Sequence, residues 1–155
     1  MHLYLIQHAE AKSAEADPSR GLTARGLQDA QKVAWYLGKI GITVSHLYHS
    51  GKTRARETAF ALAEGIRVGR GVYDSDGLLP NDDPSIWHDR AQSLEEDTAL
   101  VGHLPHLAKL ASLILAGDRE GVHVSFRMGG VVCLARQGSV WSLEWMIIPG
   151  ILPPG

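Results

Sequence analysis

The 155-residue chain has one cysteine, no excess of basic residues and no long apolar run. A single cysteine, Cys133, cannot close an internal disulfide, so the fold does not depend on an oxidising compartment. Lys and Arg total 15 against 17 Asp and Glu, a formal net charge of −2, whereas nucleic-acid binders carry a basic excess gathered on one face. No apolar stretch approaches the roughly 18 residues of a spanning helix, so no membrane segment is expected. The opening MHLYLIQHAEAK has neither a basic leader nor a small-residue cleavage site, and a cytoplasmic location is the expectation.

What is present is ordinary for a folded domain: 45% hydrophobic and 21% charged residues, unlike a disordered chain. The length suits one domain over 1–155 with one continuous core. No repeat, low-complexity tract or linker divides it. Seventeen glycines and eight histidines are the compositional oddities.

The pattern reads as strands alternating with helices. Leu3 to Ile6 is a short buried strand followed by a polar loop to Gly21. Thr23 offers an N-cap for a helix whose inner face is Leu27, Ala30, Ala34, Leu37 and Gly41. Val44 to His49 reads as one strand, and Ser50 as the cap of a helix from about Lys52 to Glu64 with Ala55, Ala59, Leu62 and Ala63 inward. A short extended piece at Ile66–Val68 precedes a loop from Asp74 to Pro84, and Pro84 to Trp87 opens a short helix. Thr98 to Val101 is another strand. Pro105 and Gly117 bracket a helix with Leu107, Leu110, Ala111 and Ile114 inward. Gly130–Ala135 and Val140–Ile148 form a terminal antiparallel hairpin. The sum is an α/β three-layer sandwich with a mostly parallel central sheet, whose reactive groups collect at the carboxyl ends of its strands.

Three of those strand ends carry unusual residues: Gln7-His8, then Ser50 to Thr58 with Arg54 and Arg56, then Gly102-His103. Arginine presents a planar fork of donors suited to phosphate oxygens, and histidine is a nucleophile or proton carrier near neutral pH. A helix opening beside them adds backbone N–H donors. Together these describe a phosphate site.

The motifs resemble those of the histidine phosphatase superfamily, also called phosphoglycerate-mutase-like. His8 stands in the slot of the family's R-H-G histidine. Ser50, Arg54, Ala55, Glu57, Thr58 and Ala59 match S-x-x-x-R-A-x-[EQ]-T-A, and Gly102-His103 matches the late G-H motif. The small size and the Arg20-Gly21-Leu22-Thr23 stretch are most similar to SixA-type phosphohistidine phosphatases. The resemblance runs from Met1 to about Ala116.

It implies a metal-free, cofactor-free hydrolase in which His8, Arg54 and His103 are catalytic and Gln7, His8, Arg20, Arg54 and His103 bind phosphate. Neutral His8 would attack phosphorus and a cationic His103 would stabilise charge, giving a bell-shaped pH profile. The implied partner is a phosphorylated protein, such as a histidine-containing phosphotransfer domain, or a small phosphorylated substrate. Relatives that cleave phosphate esters place a glutamate acid after the second motif. Here Leu78 to Pro84 has none, and Asp82 and Asp83 read as a helix-opening loop, which leans toward N-linked phosphate.

Two departures stand out: Gln7 where the family has arginine, and Ala9 where it has glycine. Gln7 still donates hydrogen bonds but brings no charge, so a phosphatase for a small ester and a catalytically silent phosphate- or phosphoprotein-binding module are the alternatives.

Other candidates have blander readings. His103 and His106, with His49 nearby in sequence, suggest zinc spacing, but Pro105 interrupts the pair and no acidic or second Cys ligand accompanies it. Arg56 and the remaining histidines, His2, His46, His88 and His123, read as surface or edge, Glu10 as a local cap, and Gly69-Arg70-Gly71 as a turn. Cys133 reads as an inert core residue. Trp141 and Trp145 are expected on one face of a strand, packing the core.

Overall fold

A computed structural model describes residues 1–154. In chain order the elements are β1 (His2–Gln7), α1 (Ala24–Lys39), β2 (Thr43–Val44), β3 (His46–His49), α2 (Thr53–Gly65), β4 (Arg67–Val68), β5 (Val72–Asp74), α3 (Ser85–Ala91), β6 (Thr98–Gly102), α4 (His106–Ala116), β7 (Val131–Gln137), β8 (Val140–Ile147) and a 3-10 turn at Pro149–Ile151.

Six strands form one sheet in the order β5-β3-β6-β1-β7-β8. The pairs β3–β5, β3–β6 and β1–β6 are parallel, and β1–β7 and β7–β8 are antiparallel. Alternation along the strands divides the core into two layers. Tyr4, Ile6, Ala99, Val101, Val131 and Cys133 face Val33, Leu37, Ala59 and Leu62 of α1 and α2. Leu3, Leu5, Leu100, Val132 and Leu134 face Trp87, Leu107, Leu110 and Ile114 of α3 and α4. This is the expected three-layer α/β sandwich. The chain passes from β1 to β3 and only later lays β6 between them. That order opens a crevice at the carboxyl ends of β1, β3 and β6.

The helix signals act largely as read. Thr23 Oγ1 accepts from the Gly26 amide at 2.9 Å, and Gly117 ends α4 in the left-handed region at φ 71°. The inner face of α1 is shifted, however. Leu27 is exposed and Gly26 is buried in its stead, because a Cβ on Gly26 would stand 2.0 Å from the Glu10 carbonyl oxygen. Gly41 lies beyond the end of α1 at φ 82°. Ala63 is only partly buried.

The strand expected over Val44–His49 is two. Thr43–Val44 pairs with Arg67–Val68 in a separate ribbon, and Ser45 breaks the run by donating its amide to the Asp97 carbonyl. Val72–Asp74, read as leading into a loop, adds an edge strand to β3.

The terminal hairpin is present, with one irregularity. The register between β7 and β8 shifts at Cys133/Leu134. That bulge reverses the alternation, so Trp141 packs on the α3–α4 layer and Trp145 on the α1–α2 layer. The expectation of one shared face fails for this reason. Among the described residues, no helix is long and apolar enough to cross a membrane.

Candidate active site

Strand pairing brings the first and third motifs together. Gln7 stands opposite Gly102, and the His8 amide donates to the Gly102 carbonyl at 3.0 Å. The next residue on each strand is therefore a histidine, and the rings of His8 and His103 lie 5.0 Å apart between centroids. Both are nearly enclosed, at 9% and 2% exposure. β3 joins from the other side, with His49 opposite Val101, so Ser50 arrives beside His103. Ser50 Oγ and His103 Nε2 share a hydrogen bond of 2.6 Å.

Ser50 was expected to cap α2. Lys52 is the N-cap instead, with no side-chain cap bond, and Ser50 is turned toward the histidine. This contact escaped the sequence reading because it depends on β3 pairing with β6.

His8 is held in one tautomer. Its Nδ1 lies 2.7 Å from the Ala9 carbonyl, which can only accept, so Nδ1 carries the proton and Nε2 presents a lone pair. Burial is the main cause that lowers the His8 pKa below 6.5; the Ala9 bond opposes it, and Arg54 and Arg20 lower it further. The imidazole is therefore neutral at pH 7.

His103 departs from its expected charge. Burial first, then the positive fields of His8, Arg54, Lys52 and His106, push its pKa down to about 3. A cationic His103 is thus not the state of the free pocket at neutral pH, because burial disfavours the charge and the Arg54 and Lys52 cations oppose it.

Arg54 sits in the first turn of α2, with its guanidinium crowded by Arg20. Arg20 adopts φ 53°, a left-handed conformation that a long side chain rarely takes. Three anchors hold its loop. Arg20 Nε donates to the Lys12 carbonyl at 3.0 Å, its amide to Asp17 at 2.9 Å, and the Leu22 amide to Glu57 Oε1 at 2.7 Å. Glu57 of the second motif therefore fixes the loop that carries Arg20. Thr58 does the same for the first motif: its Oγ1 accepts from the Ala9 amide at 3.0 Å and donates to the Arg54 carbonyl at 2.8 Å.

The two departures differ in consequence. The Ala9 methyl is fully buried against Leu22, Ala30 and Ala61, so this substitution fills a small apolar niche. Gln7 Oε1 is buried without a hydrogen-bond partner in the chain, as are Arg54 Nε and His103 Nδ1. Orphan polar atoms on three residues of one constellation mark a place built for a polar ligand.

The blander candidates fall where expected. Asp82 accepts from the Leu79 amide, and Asp83 from Ser85 and Arg119, so both serve their own loop. Glu10 accepts from Thr23 Oγ1 at 2.8 Å. Arg56 and His123 are exposed, and His2, His46 and His88 are partly so. His106 is buried with both ring nitrogens unpartnered, and burial lowers its pKa.

The family model described as histidine phosphatase superfamily (branch 1) matches residues 3–78. Over those residues the chain is similar to the histidine phosphatase superfamily. An uncharacterized protein of Picosynechococcus sp. is 29% identical over 141 residues, covering 86% of this chain and 84% of its own. Among solved structures, the protein histidine phosphatase SixA complexed with tungstate superposes with a TM-score of 0.87 at 18% identity, over 97% of this chain and 98% of that one. A phosphoserine phosphatase from Entamoeba histolytica, in complex with 3-phosphoglyceric acid, gives 0.70 at 17% identity, over 94% and 95%. The chain thus shares its fold with phosphatases of differing substrates.

Proposed function

We propose that the chain is a SixA-type phosphatase that removes phosphate from phosphohistidine on a protein, through a phosphoenzyme on His8. In the first step the His8 Nε2 lone pair forms a bond to phosphorus. The P–N bond to the substrate imidazole breaks, and that imidazole leaves with its electron pair and takes a proton from solvent. In the second step water attacks the phosphorus on His8, the electron pair of the P–N bond returns to Nε2, and inorganic phosphate leaves. Arg20, Arg54 and the amide of Gln7 surround the transferring group with donors, and neutral His103 donates one further hydrogen bond. Electrostatic positioning of this kind supplies most of the catalysis in phosphoryl transfer.

One observation carries the choice of substrate. The charged side chains that act on His8 and His103 at neutral pH are the cations Arg20, Arg54 and Lys52. Among the described residues no carboxylate acts on His8 or His103, and Asp82 and Asp83 are engaged in their own loop. An imidazole leaving group, protonated from water, does not need one. Gln7 favours the second reading, a silent phosphate-binding module, since its orphan Oε1 stands where an arginine would bring charge.

Phosphate release from a phosphohistidine-bearing protein, run with EDTA and with H8A, decides between them. Release that persists in EDTA and disappears in H8A is expected. Wild-type protein that binds phosphate but releases none from either this substrate or a phosphate ester would establish the silent module.

A further inference from the structure

The antiparallel edge of the sheet holds a second group of chemistry-bearing side chains, remote from the histidine pair. In the bulge between β7 and β8, Cys133 stands opposite Trp145 and Leu134 opposite Leu143, which leaves Glu144 as the extra residue. Bulges re-aim side chains, and this one turns Glu144 toward β7 and β1. Glu144 Oε2 lies 2.8 Å from His2 Nε2 and 3.8 Å from Cys133 Sγ. All three donor atoms fall within 4.8 Å of one another. Behind the imidazole, Asp97 Oδ2 stands 3.4 Å from His2 Nδ1, and Asp97 Oδ1 accepts from the His2 amide at 2.7 Å.

We propose that His2, Cys133 and Glu144 form a binding site for Zn²⁺, with Asp97 orienting the histidine from behind. Zinc–ligand bonds of about 2.0–2.3 Å place tetrahedral donors about 3.4–3.6 Å apart. The observed 2.8 and 3.8 Å lie on either side of that spacing, and the third pair, His2 with Cys133, lies within 4.8 Å, so closure is a matter of side-chain adjustment on fixed strands. The donor set of one nitrogen, one sulfur and one oxygen suits zinc; calcium and magnesium take oxygen ligands. A carboxylate on the far nitrogen of a ligating histidine fixes its tautomer and raises its basicity. The His2 and Glu144 side chains are 38% and 47% exposed, so the fourth position faces water.

Binding costs the thiol its proton. As the S–Zn bond forms, the S–H bond breaks and the proton goes to solvent. The groups facing the thiol are His2, Tyr4, Asp97 and Glu144, and the cation neutralises the two carboxylates. His2 lies at the opposite end of β1 from Gln7, about 17 Å away at ~3.3 Å per residue. The ion therefore clamps β1, β7 and β8 without entering the phosphatase chemistry.

Tag-free full-length protein titrated with Co²⁺, then with Zn²⁺, provides the test. One equivalent of cobalt should bind with a thiolate-to-cobalt charge-transfer band that zinc abolishes. C133S should lose the band, E144Q and H2Q should weaken binding while remaining folded, and D97N should weaken it about 10- to 100-fold. H8A should keep the band in full, which separates this site from the histidine pair whatever that pair does. Zinc should also raise Tm in wild type and not in E144Q. Absence of saturable cobalt binding, a cobalt complex without the thiolate band, or a band that survives C133S would each overturn the proposal.

Discussion

On the proposed function, Gln7 is the residue on which phosphate binding turns. Its backbone is committed, paired with Gly102 and accepting from the Gly129 amide at 3.0 Å, so the side chain alone is free to vary. A third guanidinium here would join Arg20 and Arg54, which already repel one another. Q7R should therefore lower Tm in the absence of anion and recover it in phosphate. A charge-assisted hydrogen bond exceeds a neutral one by about 1.5 kcal/mol, so phosphate affinity and kcat/KM should rise roughly tenfold. R54A, which removes a donor that cannot be replaced, should cost about 10²–10³-fold in kcat, or about 2.7–4 kcal/mol. Isothermal titration with phosphate and steady-state turnover read both. Unchanged affinity in Q7R would place residue 7 outside the phosphate shell. His8, Arg54 and His103 were legible in the sequence as candidates because each ends a strand or opens a helix in an ordered motif. Ser50, Glu57 and Thr58 were legible as motif letters but not as contacts. Their partners His103, Leu22 and Ala9 lie 35 to 53 residues away and meet them only once the sheet has formed.

At the scale of the elements, α1 and α2 approach each other through glycine. A Cβ on Gly38 would meet the Gly65 carbonyl oxygen at 2.2 Å, and one on Gly65 would meet the Ala34 backbone at 2.6 Å. This close crossing sets the tilt at which α2 delivers Arg54 and Thr58 to the strand ends. Helix propensity alone favours G38A by up to about 1 kcal/mol, whereas forcing the helices apart costs about 1–3 kcal/mol. Backbone cannot yield as a flexible side chain can, so the second effect wins and G38A should lower Tm by several degrees in thermal unfolding. An increase would mean that the helices part without cost. The helices themselves were readable from their 3.6-residue period and their caps. The β7–β8 bulge was not, because a register shift is a property of two strands; it moved Trp141 and Trp145 to opposite layers and aimed Glu144 at Cys133.

The whole molecule answers to pH through its buried histidines. His8, His49, His103 and His106 all have pKa values below 6.5, each chiefly because burial disfavours the charged ring. The unfolded chain takes up protons at these positions near pH 6.5, while folded His103 refuses one until about pH 3. Between those limits the unfolded state binds more protons, so stability falls as pH falls and is complete above 6.5. For His103 alone the loss amounts to about 2 kcal/mol at pH 5, at ~1.4 kcal/mol per unit. The exposed carboxylates with depressed pKa, Asp17, Asp76 and Asp83, weaken the fold only below about pH 4, so the window from 7 to 5 belongs to the histidines. His106 allows the attribution to be checked, since both its nitrogens are buried and unpartnered. H106L keeps the volume and removes the titration, so Tm should rise more at pH 5 than at pH 8. Phosphate should flatten the acid slope as well, because an anion beside His103 raises its folded pKa toward that of the unfolded chain. Thermal melts at pH 5, 6, 7 and 8, with and without phosphate, separate the two contributions. An H106L gain of equal size at every pH would assign the effect to packing, and an acid slope indifferent to phosphate would remove His103 from the anion site.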